Sequence, residues 1–191
     1  MTILSAQIVP LDDLVARAKR DPQAFGELYD QYFTKVYAFV YRRVDDRQTA
    51  EDLTADAFLK AMRNLSSFEG TAASFPAWLF RIAANVVTDY YRSLRHRSAP
   101  LELDRWADEH PGPEEMAVLQ SEANEVRQAV KYLTPDQQDV VLMRFVGGLK
   151  LKEIAEATGR TEQAVKSLMF RALSTLRRRL QEQRGLAREG V

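Results

Sequence analysis

The sequence contains no cysteine and only two histidines, His96 and His110, in 191 residues. The absence of cysteine excludes a disulfide scaffold and a thiolate zinc site, and it suits a reducing cytoplasm. Two histidines so far apart do not indicate a metal cluster, because such a site needs several protein ligands. We therefore expect no metal site and no cofactor.

The sequence also has no apolar run long enough to span a bilayer, which takes about 20 residues. Its longest apolar stretch, WLFRIAANVV, is interrupted by Arg81. The N-terminus, MTILSAQIVPLDDL, lacks the basic start and the apolar length of a signal peptide. We expect a cytoplasmic protein without membrane insertion.

Signatures of catalysis are missing as well, since there is no P-loop, no HExxH pair and no nucleophile elbow. Three carboxylates, Glu51, Asp52 and Asp56, lie close together on one predicted helix. No other motif supplies the partner carboxylate cluster that a two-metal nuclease site would need. A solvated or partner-binding helix face is the better interpretation, and we expect no enzymatic activity.

Net charge is absent too, because 27 lysines and arginines balance 27 aspartates and glutamates. The charges are nevertheless segregated. Between Pro100 and Glu125 eight acids face one arginine, whereas from Lys166 to Arg184 six bases face one acid. A further basic stretch, residues 77–98, carries four arginines against one aspartate. Two basic stretches flanking an acidic connector favour a nucleic-acid partner over a merely solvated surface.

The apolar spacing is helical along the chain, with no alternating run long enough for a sheet. Helix N-cap signals stand at Asp21, Asp46 and Thr134. Proline, glycine and acidic residues break the helical pattern after Arg97. We predict an all-α fold of two small helical domains, residues 1–97 and 116–191, joined by an acidic flexible linker over residues 98–115.

The stretch LKLKEIAEATGRTEQAVKSLMFRAL, residues 149–173, predicts two helices joined by a tight turn at Gly159, as in a helix-turn-helix. One face of the second helix is apolar at the helical period. The opposite face is polar except for Phe170, which needs a cover such as a thymine methyl or a protein partner. The alternative interpretation is an amphipathic helix that closes a small bundle.

A polar stripe also follows the helix predicted from Pro76, and it consists of Arg81, Asn85, Thr88, Asp89, Arg92 and Arg95. Aromatic residues crowd both ends of this helix, and small residues form the loop before it. Arginines that hold phosphate, next to a pocket that takes an unstacked base, suit single-stranded DNA. We expect most of these aromatics in the core, so the stripe alone is a weak signal.

Together, these features resemble the sigma-70 superfamily of bacterial RNA polymerase sigma factors, in its extracytoplasmic-function group. The motifs are DRQTAEDLTADAFLKAMRNL, FPAWLFRIAANVVTDYYRSLRHR, LTPDQQDVVLMRFVGGLKLKEIAEATGRTEQAVKSLMFRALSTLRRRL and the acidic linker, in the family's order. The helix-turn-helix alone could belong to many regulators, whereas the whole set is specific. The resemblance implies a subunit without catalysis of its own, which binds core RNA polymerase and directs transcription initiation at −10 and −35 promoter elements.

The resemblance also implies a role for individual residues. Contact with the polymerase clamp helices falls to Gln48, Asp52, Asp56 and Lys60. Recognition and melting of the −10 element fall to Asn64, Phe68, Trp78, Arg81, Asn85, Asp89, Arg92 and Arg95. Recognition of the −35 element falls to Thr161, Glu162, Gln163, Lys166, Ser167, Phe170 and Arg171.

Further implied partners are the polymerase flap, promoter DNA and an anti-sigma factor. The linker acids, Glu102, Asp104, Asp108 and Glu109, are implied to occupy basic polymerase channels that otherwise hold template strand and RNA.

Two positions depart from the family pattern. Leu168 stands where many relatives have arginine, and Lys150 stands where serine or threonine often caps the first helix of the pair. Two other functions stay open at this point. A stand-alone helix-turn-helix regulator would need a dimerisation or ligand domain, and a DNA-modifying enzyme would need a site that the sequence does not reveal.

Overall fold

A computed structural model of the chain describes residues 11–97 and 125–189. These residues form α-helices and two short 3-10 turns, and no strand occurs among them, which confirms the predicted all-α class. The predicted linker over residues 98–115, with its four acids, lies outside the described residues, so its role stays a prediction. None of the described helices combines the length and the apolar character needed to cross a membrane.

The described part of the first domain contains one short helix, three long helices and two 3-10 turns. They are α1 (Leu11–Ala18), α2 (Pro22–Val44), α3 (Arg47–Asn64) and α4 (Phe75–Arg97), with 3-10 turns at Leu65–Ser67 and Ala72–Ser74 between α3 and α4. Two of the predicted N-caps form. The Asp21 carboxylate accepts the Gln23 N–H at 2.9 Å, and the Asp46 carboxylate accepts the Thr49 N–H at 2.7 Å. Each satisfies a backbone donor that the first turn of a helix leaves unpaired.

The core of the first domain lies between α2, α3 and α4. Phe39 of α2 meets Phe80 of α4 edge to face, with 5.4 Å between ring centroids, and both side chains are fully buried. This geometry suits the quadrupoles of two aromatic rings. Burial of each such side chain contributes on the order of 1.5–3 kcal/mol, so this contact fixes α4 on α2. The polar face of α4 is thereby turned away from the core.

The second domain contains a helical segment over residues 125–130 and three further helices. These are α5 (Pro135–Phe145), α6 (Leu151–Thr158) and α7 (Glu162–Glu189). The predicted N-cap Thr134 forms a capping box with Gln137, because Thr134 Oγ1 accepts the Gln137 N–H and Gln137 Oε1 accepts the Thr134 N–H. At the start of α6, Lys150 cannot accept a hydrogen bond through its ammonium. Instead its backbone N–H donates to Glu153 Oε2 at 2.7 Å.

The two domains contact each other through α4 against α6 and α2 against α5. Gly147, just after α5, lies next to the Phe80 ring of the first domain. A Cβ at Gly147 would lie 3.1 Å from that ring and 2.6 Å from the Met143 carbonyl oxygen. The glycine pair that ends α5 therefore permits a close approach at the junction, in addition to stopping the helix.

Candidate nucleic-acid interfaces

The α7 helix presents a polar face to solvent, as the sequence predicts. Thr161 caps the helix, since its Oγ1 accepts the Ala164 N–H at 3.2 Å. Val165, Leu168 and Ala172 are buried against the rest of the second domain. The opposite face is exposed, and it consists of Thr161, Glu162, Gln163, Lys166, Ser167, Phe170 and Arg171. All seven residues assigned to the −35 element therefore lie at one accessible surface.

The orientation of this face depends on the turn at Gly159. This glycine ends α6 with φ 65°, the left-handed conformation that side chains other than glycine adopt at a cost. The next residue, Arg160, donates its N–H to the Ala155 carbonyl at 2.9 Å, which closes the end of α6. α7 then begins at Glu162. The predicted helix-turn-helix is present, with its second helix presented outward.

Phe170 is 74% exposed on α7, which confirms the predicted outward ring. Leu173 on the same helix is 43% exposed. A large apolar ring in water indicates a surface that a partner covers. A thymine methyl in a major groove is one such cover.

The cations of α7 are in different states. Lys166 is exposed, and Arg171 donates from Nε to the Ser167 carbonyl at 3.3 Å while its side chain stays exposed. By contrast, Arg179 pairs with Glu182 at 3.0 Å, and its guanidinium lies 4.1 Å from the centroid of the Tyr132 ring. Of the Arg177–Arg179 run, Arg179 thus serves packing within the domain, whereas Arg177 and Arg178 are exposed.

A second polar face lies on α4. At 3.6 residues per turn the positions from 78 to 95 assigned to the −10 element project within an arc of about 120°. The exposed members of this face are Arg81, Asn85, Asp89, Arg92 and Arg95. Arg92 pairs with Asp89 at 2.9 Å, one turn before it. Asn64 is exposed at the end of α3, where its side-chain amide donates to the Lys60 carbonyl at 2.7 Å.

The two aromatic residues assigned to the −10 element support the loop between α3 and α4. Phe68 is only 7% exposed, and its ring lies 4.9 Å from the Trp78 ring and 6.1 Å from the Phe75 ring. Trp78 is half-buried. The Phe68 ring is thus an anchor of the loop in this arrangement. Direct contact of either ring with DNA stays a prediction.

A cleft of about 200 Å³ separates the N-terminal half of the α4 face from the second domain. Arg81, Asn85 and Thr88 line it from α4, and the turn at Gly159 lines it from the other side. A cleft of this volume has room for several water molecules. Arg81 and Asn85 stay exposed at this cleft, so the second domain narrows the access of DNA to this part of the α4 face.

Ion pairs also connect the two domains near the end of α2. The Arg43 guanidinium, which is buried at the end of α2, pairs with the Asp139 carboxylate of α5. Asp45 pairs with Lys131 and, at 3.6 Å, with Arg127. Asp45 itself has φ 56°, an uncommon conformation for a residue other than glycine, and it closes α2 there.

Burial raises the pKa of Asp139 to about 6. Arg43 and Arg160 oppose this rise, while Asp136 adds to it. The desolvation cost of the Asp139 carboxylate therefore exceeds the attraction of its cationic neighbours. Arg43 Nε is also buried without a hydrogen-bond partner among the described residues. This pair is close in space, yet it contributes little net stability to the junction.

The four residues assigned to polymerase contact lie on the outer side of α3, each one turn after the previous one. Gln48 donates to the Asp52 carboxylate at 3.2 Å, and Lys60 pairs with Asp56 at 3.0 Å. Glu51 pairs with Arg47 at 2.9 Å, so the carboxylates considered for a metal site each have a partner on their own helix. Two apolar side chains on this helix, Leu59 and Met62, are 46% and 43% exposed.

Sequence reasoning missed the residues of the domain junction. The partners in these ion pairs are separated by 82 to 96 positions, and none belongs to a local motif. They are Arg43, Asp45, Arg127, Lys131 and Asp139. The sequence holds one weak signal of this junction. Asp45 directly follows the basic end of α2, and it precedes Asp46, which caps α3.

Comparisons with known proteins agree with this geometry. Residues 28–97 match the family described as "Sigma-70 region 2", and residues 123–176 match "Sigma-70, region 4". The chain is 42% identical over 173 residues to the "ECF RNA polymerase sigma factor BldN" of Streptomyces coelicolor, covering 88% of this chain and 65% of that protein. It is 30% identical over 165 residues to the "ECF RNA polymerase sigma factor SigX" of Bacillus subtilis, covering 83% and 84%.

Among solved structures, the fold is similar to that of CnrH in its complex with the cytosolic domain of CnrY. The TM-score is 0.69 with 23% identity, and the match covers 91% of this chain and 99% of that one. At this identity the likeness concerns the fold.

Proposed function

We propose, from the premise that this chain belongs to the sigma-70 family of RNA polymerase sigma factors, in its extracytoplasmic-function group, that it directs core RNA polymerase to promoters with −10 and −35 elements. One observation carries the proposal. A single chain presents two separate polar helix faces with exposed cations, on α4 and α7, in two domains. Two such faces suit two DNA elements on one promoter.

The α7 face is proposed to bind the −35 element in the major groove. The first turns of a recognition helix reach base edges, and here they carry Gln163, Lys166 and Ser167. Phe170 follows on the same face and would cover a thymine methyl. Arg171 and the exposed Arg178 lie later on the helix, where phosphates are nearer.

The α4 face and the loop before it are proposed to bind the −10 element. Arg92 and Arg95, outside the cleft, would hold the backbone of upstream DNA. Arg81 and Asn85 line the cleft and would meet DNA once the two domains separate. The exposed polar residues of the loop would surround an unstacked base.

The outer side of α3 is proposed to bind the clamp helices of the polymerase, through Gln48, Asp52, Asp56 and Lys60. The exposed Leu59 and Met62 favour a protein partner at this helix, since they gain from burial. The second domain is proposed to bind the polymerase flap. An anti-sigma factor is a further proposed partner, which would compete with polymerase for the α3 surface.

Transcription with core polymerase tests the proposal. Genomic fragments are transcribed with and without the chain, the start sites are mapped, and each base of the two elements is then substituted. Starts that depend on both elements are the expected result. Asp52→Lys should abolish them while leaving the binding of a −35 duplex unchanged. Tight, specific binding to a palindrome by the isolated chain, with no stimulation of polymerase, would instead favour a stand-alone regulator.

A further inference from the structure

The loop over residues 65–74 is held at its centre by a lysine side chain that is distant in sequence. Lys19 donates from Nζ to the backbone carbonyl of Phe68, 49 residues further along. The same ammonium lies 5.4 Å from the centroid of the Phe68 ring. One cation thus binds both the main chain and the ring of a single loop residue, by a charge-assisted hydrogen bond and a cation–π contact.

The position of Lys19 is itself fixed. It follows directly after α1, and its backbone N–H donates to the Val15 carbonyl at 3.2 Å, which continues the helix by one residue. Leu14, Val15 and Ala18 are buried, and α1 packs on α2 and on the Ala72–Ser74 turn. The ammonium therefore reaches the loop from a helix that the core holds in place.

A second close contact constrains the same loop residue. A Cβ at Gly70 would lie 2.5 Å from the Phe68 ring and 2.4 Å from Ser74 Oγ. The main chain thus passes against the ring at Gly70, where only a glycine fits. Phe68 is therefore held by α1, by its own loop and by the rings that begin α4.

The rest of this loop is largely polar and accessible. Its exposed residues are Ser66, Ser67, Glu69, Gly70, Thr71 and Ala73. Phe68 lies between these residues in the chain. The position of its backbone carbonyl therefore determines how the exposed residues are arranged. A loop that is already ordered loses less entropy when a ligand binds, so it binds more tightly and discriminates better.

We propose that Lys19 is a positioning residue for base recognition at the −10 element. It acts through the carbonyl and ring of Phe68, which it holds so that the exposed loop residues accept an unstacked base, and it does not touch the DNA. The inference rests on the proposed function, because it needs the loop to bind the −10 element.

Three variants of the full chain test this role in transcription with core polymerase. Lys19→Met keeps a long side chain but removes the charge and the donor, while Lys19→Arg keeps both. Arg20→Met is the matched control, because Arg20 is exposed and has no ion-pair partner among the described residues. Each chain is assayed on promoters carrying all single substitutions in the −10 element, and on −35 duplex alone.

At the −10 position that the loop binds, transcription from the best base divided by transcription from the worst base measures discrimination. We expect Lys19→Met to reduce this ratio about three- to tenfold, which is the effect of losing one hydrogen bond. Lys19→Arg should restore most of the ratio, and Arg20→Met should leave it unchanged. Binding of the −35 duplex should not change in any of them. Hydrogen exchange at amides 66–74 should be faster in Lys19→Met than in Arg20→Met.

Gly70→Ala adds a methyl group that would push the Phe68 ring out of its place. This substitution should lower the same ratio without any change of charge. If the wild-type chain discriminates bases at −10 and Lys19→Met discriminates equally well, the positioning role is wrong while the proposed function stands. If the wild-type chain shows no base preference at −10, both are wrong. Faster exchange that spreads over the whole first domain would also overturn the role, since Lys19 would then stabilise the fold generally.

Discussion

The two polar helix faces differ in their access to DNA. On α7 the face from Thr161 to Arg171 is open along its length, and even the Phe170 ring is 74% exposed. On α4 the inner half of the face, at Arg81 and Asn85, looks into a cleft of about 200 Å³ against the second domain. The α7 face is therefore open to a ligand, whereas the part of the α4 face at Arg81 and Asn85 becomes more accessible when the domains separate.

The contacts across the junction determine how readily such a separation occurs. They include a buried ion pair, Arg43 with Asp139, and the pairs of Asp45 with Lys131 and Arg127. A buried ion pair loses its hydration, and this cost commonly offsets the attraction between the charges. The raised pKa of Asp139 has this cause. The ion pairs thus make the junction specific in its partners, and the buried apolar side chains of both domains, which form one continuous cluster, contribute to its stability.

The largest effect is expected when the two domains cannot separate, because this should affect the α4 face and leave the α7 face unchanged. The chain has no cysteine, so Asp45→Cys with Lys131→Cys creates a single pair of thiols at two side chains that touch. Joined by a short bismaleimide, this chain should bind a −35 duplex normally. Its promoter opening with core polymerase should fall more than about tenfold, because the binding-competent form is no longer populated.

The uncrosslinked double variant is the control for this experiment, since it carries the same substitutions and the same loss of the Asp45 ion pairs. A cleavable crosslinker should restore promoter opening when it is cut. Normal opening by the crosslinked chain would mean that DNA reaches the α4 face without domain separation.

The next largest effect is expected on the open face. Lys166→Ala should cost about 1–3 kcal/mol on promoters with the preferred base and relax the preference at one −35 position, if the lysine binds a base edge. Arg171→Ala should weaken all sequences alike and lower the slope of affinity against salt by about one, since a phosphate contact releases counterions. Competition binding with all single −35 substitutions separates the two patterns.

Arg178→Ala is a matched control for the open face, because Arg178 is exposed on α7 two turns after Arg171. It should leave every base preference unchanged. If Lys166→Ala and Phe170→Ala also leave all preferences unchanged in folded chains, another face of α7 contacts the −35 element.

A smaller effect is expected from pH, which should change the contact between the two domains through Asp139. The pKa of Asp139 is about 6 in the closed arrangement, against an ordinary value of 3.8. We call the arrangement with the two domains in contact the closed form. It binds the Asp139 proton more tightly than the separated domains do. Protonation of Asp139 therefore favours the closed form fully below pH 3.8, and this contribution is lost as the pH rises through 6. From pH 7 to pH 5 the closed form should gain about 1 kcal/mol.

Energy transfer between dyes on Arg20→Cys and Arg178→Cys would follow closure across this range. Asp139→Asn should flatten the profile. The other charged groups around this carboxylate are Arg43, Arg81, Asp136 and Arg160. An unchanged profile in Asp139→Asn would assign the pH effect to another group.

Local structure was predictable from the sequence because its signals are local. Asp46 and Thr134 cap the helices that they were predicted to cap, and Gly159 turns the chain as expected. The outward Phe170 followed from the helical period alone. The domain junction was not predictable, because the charges of Arg43 and Asp139 meet only through the packing of helices far apart in the chain. Likewise, nothing near Phe68 indicates that Lys19 reaches its carbonyl.

The smallest predicted effect concerns the outer half of the α4 face, where DNA already has access. Arg92 and Asp89 are both mostly exposed and form an ion pair one turn apart. Such a pair stabilises a helix by at most about 0.5 kcal/mol, so Asp89→Asn should leave thermal stability almost unchanged. It removes one repulsive charge and frees Arg92 for phosphate, so affinity for any DNA should rise about two- to threefold, with a steeper dependence on salt. Since this gain comes from the backbone, it should be equal for all −10 sequences. A change confined to one −10 base would mean that Asp89 contacts that base itself, and that the outer α4 face reads sequence as the α7 face is proposed to do.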